Sequence, residues 1–180
     1  FLTDAFELEK QKVPTRKLLE DPYHFWYIGK SYFDSTLGDY PLGMDHIKEY
    51  ARRSIFYFAQ YLNFKHEYHI TGQAKGLDEL GYFAFYAMGD MYKLCGNYEK
   101  ALDCGMKAEE FAPSRNEHIV LQAECFKDLS DFDSMKVQTE RLMSPDRKLP
   151  FPEYNFLLNM EHYNDSGKYC EQLHQIANQV

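Results

Sequence analysis

Apolar residues recur at intervals of three and four along most of this chain, and nowhere form a clear Val/Ile-rich run alternating with polar residues. Such spacing lines one face of an α-helix, so the pattern predicts helices and almost no strand. The periodic runs are Asp4–Leu19 (broken or kinked near Pro14), Tyr23–Thr36, Met44–Asn63, Asp78–Leu94, Tyr98–Phe111, Glu117–Leu129, Phe132–Met143, Glu153–Asn164 and Tyr169–Asn178. Gly and Pro mostly fall between these runs, as breakers should. His66–Gly76 has the least regular pattern and reads as a loop. Local chemistry supports several ends. Ser114 and Glu117 have capping-box spacing, in which each side chain satisfies a free backbone N–H. Pro152 suits a first helical turn, and Pro113 sits where a helix has already stopped.

Helices in pairs prompt a search for an internal period. The stretch "YAMGDMYKLCGNYEKALD", Tyr86–Asp103, answers it. Counted from Tyr82, Phe85, Met88, Gly89, Tyr92, Gly96, Tyr98, Ala101, Ala108 and Pro113 fall on the positions that define the tetratricopeptide repeat, with Gly105 the one departure, where a large side chain belongs. Each has a physical role. Gly89 and Ala101 are small because the helices of a hairpin cross there. Gly96 ends the first helix in a left-handed conformation that glycine adopts cheaply. Tyr92 and Tyr98 fill the wedge at the turn. The space at Gly105 is expected to be filled by a neighbouring aromatic.

A shift of 34 residues brings Ile119, Ala123, Phe126 and Phe132 onto the same grammar, with Ser130 in place of the turn glycine and Met135 in place of a small residue. Met160, Tyr163, Gly167 and Tyr169 follow three residues late. Upstream stand Phe25, Ile28, Gly29 and Tyr32, then Gly38 and Tyr40 two residues late, then a long insertion containing the aromatic helix Arg52–Phe64. The expectation is an all-α, tetratricopeptide-like helix-hairpin repeat array of about four pairs, the first interrupted by an insertion. It makes residues 1–180 one domain, and the start at Phe1 suggests a piece of a longer protein.

Composition narrows the function. Aromatics are 17% of residues, too many for a disordered chain. A net charge of −8 without a Lys/Arg block suits neither nucleic acid nor an anionic membrane. No run of 18 apolar residues offers a membrane span, and there is no signal-peptide pattern. Cys95, Cys104, Cys125 and Cys170 form no C-x-x-C pair and read as buried free thiols, which suits the reducing cytoplasm.

Candidate chemistry is sparse. "DFD", Asp131–Asp133, has the form of a metal-binding D-x-D, but it falls at a helix start, where carboxylates cap free N–H groups and meet the positive dipole end. His66, Glu67 and His69 lack the i, i+4 histidine spacing of H-E-x-x-H. No G-x-S-x-G, Walker loop or G-x-G-x-x-G occurs, so this segment carries no expected catalytic residue, metal site or cofactor.

First helices of stacked repeats line a concave face. Here that face would carry Tyr23, Trp26, Lys30 and Phe33, then Phe83, Tyr86, Asp90 and Lys93, then Glu117, Val120, Glu124 and Lys127, then Tyr154, Leu157, Glu161 and Asn164. Tyr23, Trp26, Phe83, Tyr86 and Tyr154 make either an aromatic groove or core, with Asp90, Glu124 and Glu161 as an acidic stripe beside it. An aromatic groove with polar neighbours suits a protein, an extended peptide or a glycan acceptor. Trp26 and Lys30 do not fit the peptide-tail clamp of chaperone-binding repeats, which needs Lys and Asn there.

Three longer phrases carry a second resemblance. "EDPYHFWYIGKSYFD" (Glu20–Asp34), "EEFAPSRNEHIVLQAECF" (Glu109–Phe126) and "LPFPEYNFLLNMEHYNDSGKYCEQL" (Leu149–Leu173) resemble the helical repeat region that follows the catalytic domain of some family 2 glycosyltransferases. Asp21-Pro22, Ser31-Tyr32, Pro113-Ser114-Arg115, Glu117 and Tyr163, Gly167, Tyr169 are the matching positions. The long insertion departs from that family's short first unit. The resemblance implies a non-catalytic module of a glycosyltransferase, serving acceptor or protein binding, subunit pairing in a homodimer, or support of the catalytic domain. The family's sugar-nucleotide site lies in a preceding α/β domain, and no residue here corresponds to it. The alternative is a free-standing tetratricopeptide adaptor.

Overall fold

The computed structural model describes residues 22–38, 43–70, 78–144 and 146–147. Among the described residues there are six helices and no strand: α1 Pro22–Leu37, α2 Met44–Ile70, α3 Asp78–Leu94, α4 Tyr98–Phe111, α5 Glu117–Asp128 and α6 Phe132–Leu142. The runs expected at Asp4–Leu19, Glu153–Asn164 and Tyr169–Asn178 lie outside the described residues.

Each pair packs as a hairpin, α1 on α2, α3 on α4 and α5 on α6, and α2 packs on α3 and α4 on α5 in turn. The first helices also meet, α1 with α3 and α3 with α5. The fold is therefore an all-α array of helical hairpins. Arg52–Phe64 was expected within an insertion, yet it lies inside α2, the direct partner of α1. The helix also continues through His66–Ile70, where the pattern suggested a loop.

Sequence period explains which faces are buried. On α2, Ala51, Ser54, Phe58 and Tyr61 follow one another at three- and four-residue steps and are all fully buried. They face Phe25, Trp26 and Phe33 of α1 and Ala84, Ala87, Met88 and Met91 of α3, which complete one core. Burying a side chain such as Phe58 contributes about 1.5–3 kcal/mol. Gly29 lets α1 and α2 approach: a Cβ there would meet the Phe58 ring at 3.1 Å, and Ser54 Oγ donates to the Gly29 carbonyl at 2.9 Å. A second core, Ile119, Ala123, Met135 and Leu142, closes α5 on α6. A smaller one, Ala101, Leu121 and Cys125, joins α4 to α5.

The turns are specific. After α3, Gly96 has φ +77°, Asn97 N–H donates to the Tyr92 carbonyl at 2.9 Å and Gly96 N–H to that of Lys93 at 2.8 Å. This is the paired bonding of a Schellman cap. Ser130 repeats it after α5: φ is 60°, with Asp131 N–H to the Phe126 carbonyl and Ser130 N–H to that of Lys127, both 2.9 Å. Asn97 and Asp131 then cap α4 and α6 through side-chain oxygens that accept from Lys100 N–H at 3.3 Å and Ser134 N–H at 3.1 Å. Asp131 thus has a structural task, and the Ser134 bonds hold its carboxyl below the usual range.

Two local expectations need correction. Ser114 does not cap α5, which starts at Glu117 with Asn116 as N-cap. The Glu117 carboxylate folds back onto Asn116 N–H at 3.1 Å instead, and Arg147 supplies the turn, donating to the carbonyls of Pro113 and Arg115, each at 2.9 Å. The space beside Gly105 is filled by a glutamine, not an aromatic: a Cβ there would stand 3.0 Å from Gln122 Cγ. A bare backbone at 105 is what lets a polar side chain of α5 lie flat on α4.

Candidate functional site

The face shared by α1, α3 and α5 divides into two seams of opposite character. The α1–α3 seam is apolar and sealed. Trp26 and Phe33 are 9% and 5% exposed, so they belong to the core and not to an open groove. The Trp26 ring meets that of Phe83 at a tilt, 5.4 Å between centroids, and donates Nε1–H to the Leu80 carbonyl at 3.3 Å, while Phe33 meets Phe83 edge-on at 5.6 Å. A large ring at each of these sites reaches across to the next first helix, which is why they are sequestered. Lys30 covers the seam from outside, its ammonium 5.8 Å from the Phe83 ring and paired with Asp34. Tyr23 is exposed at the start of α1, and Tyr154 lies outside the described residues.

The α3–α5 seam is polar and partly open. Along it, Tyr82 donates its hydroxyl hydrogen to Glu117 at 3.0 Å, and the Tyr82 and Tyr86 rings stack 6.3 Å apart and nearly parallel. Arg115 lies over the Tyr82 ring at 4.6 Å and forks onto Glu117 at 2.8 Å. One helical turn on, Asp90 stands beside Tyr86, and Lys93 bridges Asp90 at 3.4 Å to Glu124. The acidic stripe expected at Asp90 and Glu124 is therefore neutralised in part by Lys93 between them. Burial alone would lower the Lys93 ammonium, but the two carboxylates outweigh it and hold it above the ordinary lysine value. Burial pushes both the Tyr82 and Tyr86 phenols up, and the neighbouring carboxylates Glu117 and Asp90 add to it. For Glu117 burial works upward, but Arg115, its own backbone and Tyr82 prevail and hold the carboxyl low.

The arrangement can recognise and hold. Its tyrosines are pinned, its charges are paired across helices, and its donors and acceptors are set at fixed spacing along one ridge. Among the described residues no three His, Cys, Asp or Glu side chains gather to hold a metal. Burial pushes the thiols of Cys104 and Cys125 up to about 11 and about 12, so both are inert. Cys170 lies outside the described residues, and Cys95 is a half-buried free thiol.

One cluster was missed from sequence. His118 projects from α5 into the junction of α3, α4 and α6, with its side chain 0% exposed. Glu109 of α4 stands beside it, holding Arg141 of α6 and, at 3.4 Å, Gln122 of α5. The signal was present: His118, Leu121, Gln122 and Cys125 share the buried face of α5, so two polar residues sit inside an apolar stripe. No helix among the described residues is long and apolar enough to cross a membrane. No protein-family model matches this chain, and a search of curated proteins finds no match either.

Proposed function

We propose that this chain is a non-catalytic, tetratricopeptide-like module that holds a protein or peptide on the α1–α3–α5 face, as part of a glycosyltransferase. There it serves acceptor binding, subunit pairing or support of the catalytic domain. The observation that carries the binding role is the alignment of three first helices, with Tyr86, Asp90, Lys93 and Glu124 along the outer seam. A ridge of partly exposed aromatics and paired charges supplies stacking area and directional bonds together, the combination that interaction surfaces favour. The link to a glycosyltransferase rests on the phrase resemblance alone.

Site-specific photocrosslinking in the source cells tests the binding role. A photoreactive phenylalanine analogue at Asp90 or Lys127 should give a discrete crosslinked product, and the same group at Met106 or Val137, exposed on second helices, should not. Equal products at both faces, or none at the first, would overturn it. The coding sequence upstream of Phe1 tests the rest. A preceding α/β domain with a D-x-D after a strand is expected, and its absence leaves the free-standing adaptor.

A further inference from the structure

Among the described residues, neither ring nitrogen of His118 has a hydrogen-bond partner. Leaving both polar atoms of a fully enclosed ring unsatisfied is costly, so the placement needs an explanation. Every element around the ring presents a polar or charged group. From α3, Tyr82 meets it edge-on at 6.1 Å. From α4, the nearer carboxylate oxygen of Glu109 is 3.9 Å from Nε2. Arg141 comes from α6 and Arg147 from the segment after it, and Glu117 and Gln122 lie on α5 itself. Glu109 cannot readily turn to the imidazole, because Arg141 and Gln122 already hold its oxygens.

We propose that His118 is a proton-sensitive latch: acid frees the α5–α6 hairpin from α4 while the α1–α2–α3 core stays closed. The enclosed ring is neutral, since an imidazolium there would lack both water and a free acceptor. Protonation therefore belongs to an opened state in which α5 lifts from α4. The junction that must open has a small buried core, Ala101, Leu121 and Cys125, against the much larger one that unites α1, α2 and α3, and opening it also parts Glu117 from Tyr82 and Glu124 from Lys93 on α3.

The direction follows from linkage. Burial, which outweighs the pull of Glu109, lowers the His118 imidazole to about 4. The ordinary value is about 6.5, so the closed state binds fewer protons between the two. Closure is complete above about pH 6.5 and weakens as pH falls toward 4. Glu109 is held below its ordinary value too, since its bonds to Arg141 outweigh burial, and Glu117 likewise. Those carboxylates add to the loss only below about pH 4.5, which leaves the interval from 6.5 to 5 to His118.

Hydrogen–deuterium exchange of the full chain between pH 7 and pH 5, corrected for intrinsic exchange, tests the latch. Peptides from 117–142 should lose protection about twentyfold, and those from 44–62 and 78–94 should not. His118→Leu should remove the pH dependence within 117–142. His118→Gln, uncharged at every pH, gives the same comparison if the leucine variant does not fold. Parallel loss in the wild type and the variant, uniform loss along the whole chain, or no loss in the wild type would each overturn the latch.

Discussion

A Cβ on Gly89 would stand 2.5 Å from Leu121 Cδ2, so a glycine of α3 and a leucine of α5 compete for one space. The same Cβ would meet the Ala101 carbonyl oxygen and Cys104 Cβ of α4, both at 3.3 Å. Gly89 therefore serves the hairpin crossing and the stacking of the next unit together. Alanine is the better helix former by about 1 kcal/mol, and in open space Gly89→Ala would stabilise. Here Leu121 is 1% exposed and packed against Ala101 and Cys125, so it cannot swing away freely. Gly89→Ala should lower stability by about 1 kcal/mol, and Gly89→Leu by about 1–3 kcal/mol or more. Adding Leu121→Val to Gly89→Ala should give a favourable coupling of about 1 kcal/mol in urea titrations. An unchanged midpoint for Gly89→Leu would refute the crossing.

Ser130 offers the opposite change. It adopts φ 60° in a cap that Gly96 makes with the same bonds. A side chain in that region costs about 1–2 kcal/mol, and glycine gives back part of this through a freer unfolded chain. Ser130→Gly should raise stability by about 0.5–1 kcal/mol, and Gly96→Ala should lower it by a similar amount. Thermal melts of the pair check this, and equal shifts of the same sign would contradict it.

Trp26 distinguishes core from groove. With its ring against Phe58 and Phe83 and its N–H on the Leu80 carbonyl, Trp26→Ala should cost about 3–5 kcal/mol. Trp26→Phe should cost less, since it keeps most of the apolar volume. The measurement is the denaturation midpoint of each variant. A midpoint for Trp26→Ala near that of the wild type would return the ring to the surface.

Periodicity placed the helices well because each buried stripe is regular. Ala51, Ser54, Phe58 and Tyr61 repeat at helical steps, and the starts at Met44, Asp78, Tyr98, Glu117 and Phe132 coincide with the observed ones. Turn chemistry was legible wherever it is local, as at Gly96. What lay beyond reach depends on partners distant in sequence. Trp26 and Phe33 have the register of exposed first-helix positions, but Phe83 on the next hairpin covers them. Glu117 matched a capping box until Arg115 and Tyr82 took its carboxylate. The place of His118 on the apolar stripe of α5 is legible, but its enclosure requires α4 and α6 to be in place together.

Lys93 carries the polar seam, so its removal is the sharpest test of how that seam is held. Its ammonium lies between Asp90 and Glu124, and the three side chains are 25%, 18% and 31% exposed. Lys93→Met would leave two carboxylates facing each other with little water. A fully buried pair broken this way loses about 3–5 kcal/mol and an exposed one under about 1, so about 1–2 kcal/mol is expected here. The ammonium is held above its ordinary value in the fold, so its contribution is complete at neutral pH and is lost only as pH rises through that raised value. Adding Glu124→Gln should recover part of the loss at neutral pH by removing one of the two charges. Urea titrations at pH 7 measure the loss and its recovery. A deficit untouched by Glu124→Gln would mean that Lys93 stabilises the seam by packing its stem and not by its charge.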